Sequence, residues 1–364
     1  MITLSALINQ FEVDLLRLFQ DQLLPSQIKA LNALKICRTS HSPVMQVNCT
    51  DCDHQALVPH SCGHRNCPHC QHHESQQWLE RQLQKQVPAS YFMITFTLPA
   101  QLRTLAWQHQ RLMYSLMFDC VWETLQTFSL NDQKLKGNPG VIAVLHTHSR
   151  ALDYHPHIHA VMPAAIIDKV NKLWRTKAGK YLFNHKALAK VFRAKLLARL
   201  AAEKLVLPAS IPTKWVVDCQ AVGSSDKALV YLGRYLYRGV IREKDILSCQ
   251  EGNVTFRYQN SKTKRYETKT LSGVKFLWLV LQHVLPKGFR RARNYGFLHP
   301  NSKTLIKLLQ YLLKCDPKKF LALIKPRPPW RCDCCGGMMI IGRTRIPAVE
   351  RLKFVMHNLV PVPT

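Results

Sequence analysis

The sequence predicts an α+β fold preceded by a small metal-dependent module, and three observations carry that prediction. Runs rich in β-branched and aromatic residues, such as residues 91–97 and 140–148, read as buried strands. Segments with apolar residues at helical spacing separate them. Ahead of both lies a Cys/His-rich stretch, residues 49–73, with too few large apolar side chains to build a core.

The elements follow in order. Leu15, Leu16, Phe19, Leu23 and Leu24, then Ile28, Leu31 and Leu34, mark helices over residues 11–36, which Pro25 divides, with Ser26 as a poor cap. Residues 74–87 read as a polar helix, and 103–127 also read as helical. Strands at 140–148 and 155–162 flank the polar stretch 149–154 and form a β-hairpin. A basic amphipathic helix covers 186–205, a short strand 215–219 and a helix 226–238. Strands 254–258 and 265–270 form another hairpin, turning at Asn260, Ser261 and Lys262. Helices follow at 274–284 and 302–323, and the tail from Lys325 is rich in proline and basic residues. A chain of 364 residues exceeds the needs of one core. The divisions expected are 1–87 (helices and the Cys/His-rich module), 88–300 (the domain of the buried strands) and 301–364 (a basic helical segment with a Cys knuckle).

Lys and Arg total 51 against 22 Asp and Glu, a formal net charge of +29. Such an excess repels itself in the compact state and fits a polyanionic partner, nucleic acid first and an anionic membrane second. The start of the chain lacks a basic n-region, and no apolar run is long enough to span a bilayer. These features predict a cytoplasmic, nucleoid-associated protein with no membrane partner.

Thirteen cysteines occur in clusters, five between Cys49 and Cys70 and three between Cys332 and Cys335. That spacing suits metal binding in a reducing compartment better than a disulfide framework. Cys49-x-x-Cys52 and Cys67-x-x-Cys70 are two knuckles separated by 14 residues, and together they predict a structural Zn²⁺ site. Cys62, His54, His64 and His69 are further candidates nearby, and Arg65 could touch DNA. Cys332 and Cys335 form half of another site, with no second pair after them.

His157 and His159 share one face of a strand, because side chains alternate. A hairpin centred between Ala151 and Leu152 pairs residues whose numbers sum to 303. It sets His146 opposite His157, within reach of a shared ion, and His148 opposite His155. Three imidazoles so placed suit a divalent metal that activates a phosphate. Tyr231 and Tyr235 then stand one turn apart on a helix, with Arg234, Arg238 and Arg242 on an adjoining face. Arg290, Arg291 and Arg293 form another basic cluster for DNA, as do residues 325–331, while Tyr295, Phe297 and Trp330 could stack bases.

The run His155-Pro156-His157-Ile158-His159 resembles the histidine–hydrophobe–histidine motif of the HUH endonucleases. The order of a Cys-rich module, the strand ending Thr95-Phe96-Thr97-Leu98-Pro99, the strand Leu145-His146-Thr147, the His motif and then Tyr-x-x-x-Tyr is similar to the two-tyrosine transposases of insertion-sequence group ninety-one. Leu285 to Phe289 and Arg293 to Phe297 add to the likeness, which spans roughly residues 37–300 with the Cys332 knuckle as a further echo. The resemblance implies an HUH-endonuclease-like central antiparallel sheet flanked by helices, preceded by a zinc-ribbon-like domain. It also implies rolling-circle transposition. Tyr231 or Tyr235 would cut single-stranded DNA at an element's end as a 5′-phosphotyrosine and leave a 3′-hydroxyl to the host replication machinery. His157 and His159 would hold Mg²⁺ or Mn²⁺. Readings that remain open are a replication initiator or relaxase with the same chemistry and a non-catalytic zinc-dependent DNA-binding protein.

Overall fold

The computed structural model describes residues 2–168, 171, 173–223, 225–237, 241–260, 263–321, 329–347 and 350, with the side chains of residues 72, 225 and 234–237 outside the description. Helices α1 (Leu4–Phe19) and α2 (Pro25–Ile36) lead to strands β1 (Val44–Cys49) and β2 (Gln55–Pro59) and to helix α3 (His72–Leu83). The central part runs β3 (Tyr91–Thr97), α4 (Arg103–Gln108), α5 (Gln110–Asn131), β4 (Asn138–His148), β5 (Tyr154–Pro163), β6 (Ala165–Asp168), β7 (Leu173–Thr176), α6 (His185–Ala202), β8 (Val217–Gly223) and α7 (Ser225–Tyr237). It continues through β9 (Ile246–Gln250), β10 (Asn253–Gln259), β11 (Tyr266–Ser272), α8 (Gly273–Gln282), β12 (Ala292–Gly296), α9 (Lys303–Leu312), α10 (Lys318–Leu321) and β13 (Met339–Ile346).

The central sheet has seven strands in the order β7-β6-β4-β5-β3-β8, with β12 added beside β4, and its pairings are antiparallel. Strand alternation gives it two apolar faces. Ile94, Phe96, Ala143, Leu145, Ile158 and Ala160 bury one face beneath Met117 and Val121 of α5 and Phe192 and Leu196 of α6. Ile142, Val144 and Val161 bury the other beneath Trp78 of α3 and Leu229 and Leu232 of α7. The fold is therefore α+β, an antiparallel sheet flanked by helices, with the histidine strands β4 and β5 near its middle.

Two smaller sheets complete the chain, in the orders β11-β10-β9 and β13-β1-β2. The first shares a core with the N-terminal helices, in which Leu7, Leu15 and Leu31 meet Phe256, Phe276 and Trp278. The segment after α7 thus closes over the start of the chain.

Several expected elements shift. Pro25 opens α2 at its first turn, where its missing N–H costs nothing. Leu24 is the N-cap rather than Ser26, and its N–H donates to the Gln27 side chain at 2.8 Å. The helix expected at 302–323 divides into α9 and α10 around Lys314, whose φ of 50° ends the first; residues 322 and 323 lie outside the described residues, as do Ser261 and Lys262 of the second hairpin's turn. Gly296, with φ of 60°, ends β12 where a β-carbon would stand 1.7 Å from the Pro139 carbonyl oxygen, so only glycine fits.

Candidate metal and nucleophile site

The β4–β5 register places the histidines. His146 pairs with His157 and Val144 with His159, as the hairpin argument predicts. The side-chain nitrogens of His146, His157 and His159 lie within 4.8 Å of one another. Their ring centroids are 5.1 Å (146–157), 4.2 Å (146–159) and 4.9 Å (157–159) apart. Neighbouring groups orient two of the rings. His157 Nδ1 donates to the His155 carbonyl at 2.6 Å. His159 Nδ1 bonds Thr95 Oγ1, from the adjoining strand β3, at 3.0 Å. Each contact engages Nδ1 and leaves Nε2 as the ligand atom, the outer-shell arrangement metal sites use.

Burial makes the cluster neutral. His146 is held well below the usual imidazole range by burial and then by the other two rings, and His159 by burial and by His157. Burial lowers His157 to about 4. Neutral imidazole is the metal-binding form, so three nitrogens crowded on one face fit a divalent ion.

Tyr231 stands over this cluster. Its ring centroid is 6.1 Å from that of His146 and 5.9 Å from that of His159. Leu229 and Leu232 bury against the sheet and fix the rotation of α7, leaving the intervening Tyr231 at the rim, 38% exposed. A backbone contact holds the helix laterally, where Ser75 Oγ of α3 donates to the Gly233 carbonyl at 3.1 Å. Tyr235 lies one turn further along α7, and the side chains of Tyr235 and Arg234 fall outside the description. Arg238 lies outside the described residues. Arg242 does not continue the helix; it pairs with Asp245 at 2.6 Å.

His148 departs from expectation. A register shift after His146 brings it opposite Tyr154 instead of His155. Its buried ring packs on Tyr154 and His283. His155 takes a bond from Arg103 at 2.5 Å.

The cysteine knuckles Cys49/Cys52 and Cys67/Cys70 do not meet in one site. Cys67 and Cys70 join Cys37 and Cys62, whereas Cys49 and Cys52 join Cys332 and Cys335. Strand β1 leads away from the Cys37 turn and delivers Cys49 beside β13, so sequence neighbours part in space. In the first cluster Cys37 Sγ is 3.5 Å from both Cys67 and Cys70. Four sulfurs around zinc at about 2.3 Å would stand about 3.8 Å apart, so the set fits that ion. Sequence reasoning weighed Cys62 but missed Cys37, which has no C-x-x-C partner to mark it. His69 is engaged elsewhere, with Glu243 at 2.7 Å.

The arginine candidates also divide. Arg290 is exposed on a groove of about 1170 Å³ lined by Arg81, Lys85, Arg111, Lys303 and Lys307. Arg291 is turned inward, donating to the His283 carbonyl at 3.0 Å. Arg293 lies over the Phe118 ring at 4.4 Å and pairs with Asp119 at 3.7 Å. Arg65 donates to the Phe289 carbonyl at 2.9 Å. Tyr295 stacks on Trp122 at 5.2 Å, and Phe297 is buried against Trp174. Arg291, Arg293 and Arg65 thus make contacts within the fold, and Arg293 and Tyr295 also line the groove that Arg290 faces. Of the basic run at 325–331, residues 325–328 lie outside the described residues.

With this geometry in view, the comparisons are consistent. The family described as "Putative transposase" matches residues 140–304, the stretch holding β4, β5 and α7. The family described as "Transposase zinc-binding domain" matches residues 7–98. The chain is 30% identical over 296 residues to "Putative transposase y4qJ" of Sinorhizobium fredii, covering 75% of this chain and 74% of that one. It is 25% identical over 349 residues to the transposase for insertion sequence element IS801 of Pseudomonas savastanoi pv. phaseolicola, covering 86% and 83%. The class is that of DNA transposases with a zinc-binding domain. The chain belongs to the transposase family typified by insertion sequence 91, of which the IS801 enzyme is a relative. Among the described residues no helix is long and apolar enough to cross a membrane.

Proposed function

We propose that this transposase nicks and rejoins single-stranded DNA through a 5′-phosphotyrosine, with Tyr231 as the first nucleophile. The observation that carries the reading is the position of Tyr231 against His146 and His159, at the mouth of the three-imidazole cluster. A divalent ion held by His146, His157 and His159 would polarise the scissile phosphate. An all-nitrogen set favours a transition ion such as Mn²⁺ over Mg²⁺, which prefers oxygen ligands.

The chain's own groups account for the rest. The Tyr231 hydroxyl oxygen attacks phosphorus and gives up its proton to solvent, which its half-exposed position permits. The new bond joins the tyrosine to the 5′-phosphate. The bond to the upstream 3′-oxygen breaks, and that oxygen takes a proton from solvent to leave as a 3′-hydroxyl available to host replication. The ester keeps the bond energy, so Tyr235 or a target strand can take part in rejoining without ATP. The basic groove around Arg290 supplies phosphate contacts for the strand.

The test is covalent capture. Purified protein, Mn²⁺ and a single-stranded oligonucleotide from the element's end are mixed, and any DNA-linked peptide is mapped by mass spectrometry. The expected adduct is on Tyr231, absent in Tyr231→Phe and in His157→Ala. An adduct on Tyr235 alone would reassign the first attack. Tight DNA binding with no adduct under any divalent ion would leave a binding protein.

A further inference from the structure

We infer that Cys49, Cys52, Cys332 and Cys335 form a second zinc site that clasps the distant strand β13 to the N-terminal module. This inference goes beyond the nuclease reading and does not depend on it. The matched zinc-binding domain ends at residue 98, so half of these ligands lie outside it.

Geometry carries the assignment. The four sulfurs lie within 4.8 Å of one another. Across the cluster, Cys49 Sγ is 3.4 Å from Cys335 Sγ and Cys52 Sγ is 3.8 Å from Cys332 Sγ. Those separations lie at or just below the roughly 3.8 Å edge of a zinc–thiolate tetrahedron and are far from a disulfide bond of about 2.05 Å.

The two turns are built alike. In each, the backbone N–H two residues after the first cysteine points at its sulfur, Asp51 at Cys49 (3.3 Å) and Cys334 at Cys332 (3.4 Å). Such donors stabilise a thiolate. The turns are also seated on one another. Thr50 N–H donates to the Met338 carbonyl at 2.9 Å. A β-carbon on Gly337 would come within 2.9 Å of the Asp51 β-carbon, so glycine is what lets the turns approach.

Apolar burial does not explain why β13 stays in place. It pairs with β1 from Val44↔Ile346 to Cys49↔Met339. Yet its interior residues are exposed, Ile340 at 48% and Ile341 at 54%. A three-stranded sheet with so thin an apolar face is marginal in water. An ion held by the four thiolates would supply the missing free energy, and it would close a loop of 280 residues between Cys52 and Cys332.

The experiment uses the full-length protein, purified reduced without added metal. Elemental analysis should find two zinc ions per chain, one for each four-cysteine cluster. Timed alkylation read by mass spectrometry should show Cys334, exposed in the same turn, modified at once. Cys49, Cys52, Cys332 and Cys335 should be modified only after chelation. The variant Cys332→Ser/Cys335→Ser should lose one zinc and become cleavable between α10 and β13, while Cys334→Ser keeps both ions. The inference is overturned if the zinc-loaded wild type alkylates Cys332 and Cys335 as fast as Cys334, if the double variant keeps two zinc ions, or if the cluster carries iron or a disulfide. The alkylation arm needs no variant, so a double variant that misfolds does not decide the matter.

Discussion

The central sheet and the cysteine module solve the same problem, fixing strands in register, by opposite means. The sheet buries large side chains on both faces; Phe92 and Phe96 on one face and Ile142 and Val161 on the other are all but inaccessible. Each such group contributes about 1.5–3 kcal/mol by burial, and the contributions need neither a bound ion nor a reduced thiol. In the module around β1, β2 and β13, Val44, Val47 and Ile346 are the buried apolar strand residues, and the Cys49/Cys52/Cys332/Cys335 cluster stands where a core would be, while the Cys37 cluster adjoins the apolar core of the N-terminal helices. One region is ordered by area. The other depends on an ion and on its thiols staying reduced.

The largest expected effect separates the two directly. Stripping zinc with a strong chelator should cost the module binding free energy on the order of 10 kcal/mol per site, because metal affinity there is folding free energy. Amide exchange in β1, β2 and β13 should rise by orders of magnitude while β3, β4 and β5 stay protected. Joint loss of protection would break the comparison and make the two regions one cooperative unit.

The reciprocal experiment attacks the sheet. Phe96→Ala removes a ring packed against Phe192 at 5.1 Å and should cost about 3–5 kcal/mol in a denaturant titration. Zinc content should not change. A variant that also shed zinc would show that the sheet props up the sulfur clusters.

The same contrast decides what the sequence made legible. His146, His157 and His159 lie within one hairpin, so alternation and one assumed turn centre suffice to group them, and the observed register agrees. The register failed only at His148, where an irregularity shifts the pairing and no residue type marks it. The cysteine partners were not legible. Two adjacent C-x-x-C pairs invited a single site, but the pairing of Cys49 with the Met339 strand spans most of the chain and leaves no local periodicity. Cys37 was hidden for the same reason, entering its cluster from the end of α2 as a lone cysteine. The arginines show a further limit. Charge can be counted in a sequence, but whether a guanidinium meets solvent or, like Arg293, an aromatic ring depends on packing that composition does not encode.

A smaller effect probes how the rigid sheet serves the site. Thr95 Oγ1 orients His159, so Thr95→Val should weaken Mn²⁺ binding by about 10–100-fold in a calorimetric titration. Stability should fall by no more than about 1 kcal/mol, the worth of one hydrogen bond. An unchanged affinity would mean that strand pairing alone orients the ring.

The smallest effect sets exposed against committed arginines. Arg290 faces the basic groove, so Arg290→Ala should weaken single-stranded DNA binding evenly across sequences and reduce the salt slope by about 0.7, one phosphate contact's share. Arg293 is held by Phe118, Phe289 and Asp119. Arg293→Ala should therefore lower the unfolding midpoint and leave the salt slope alone. Equal slopes for the two variants would show that the packed arginine swings out to the strand, and that the groove is reorganised when DNA enters it.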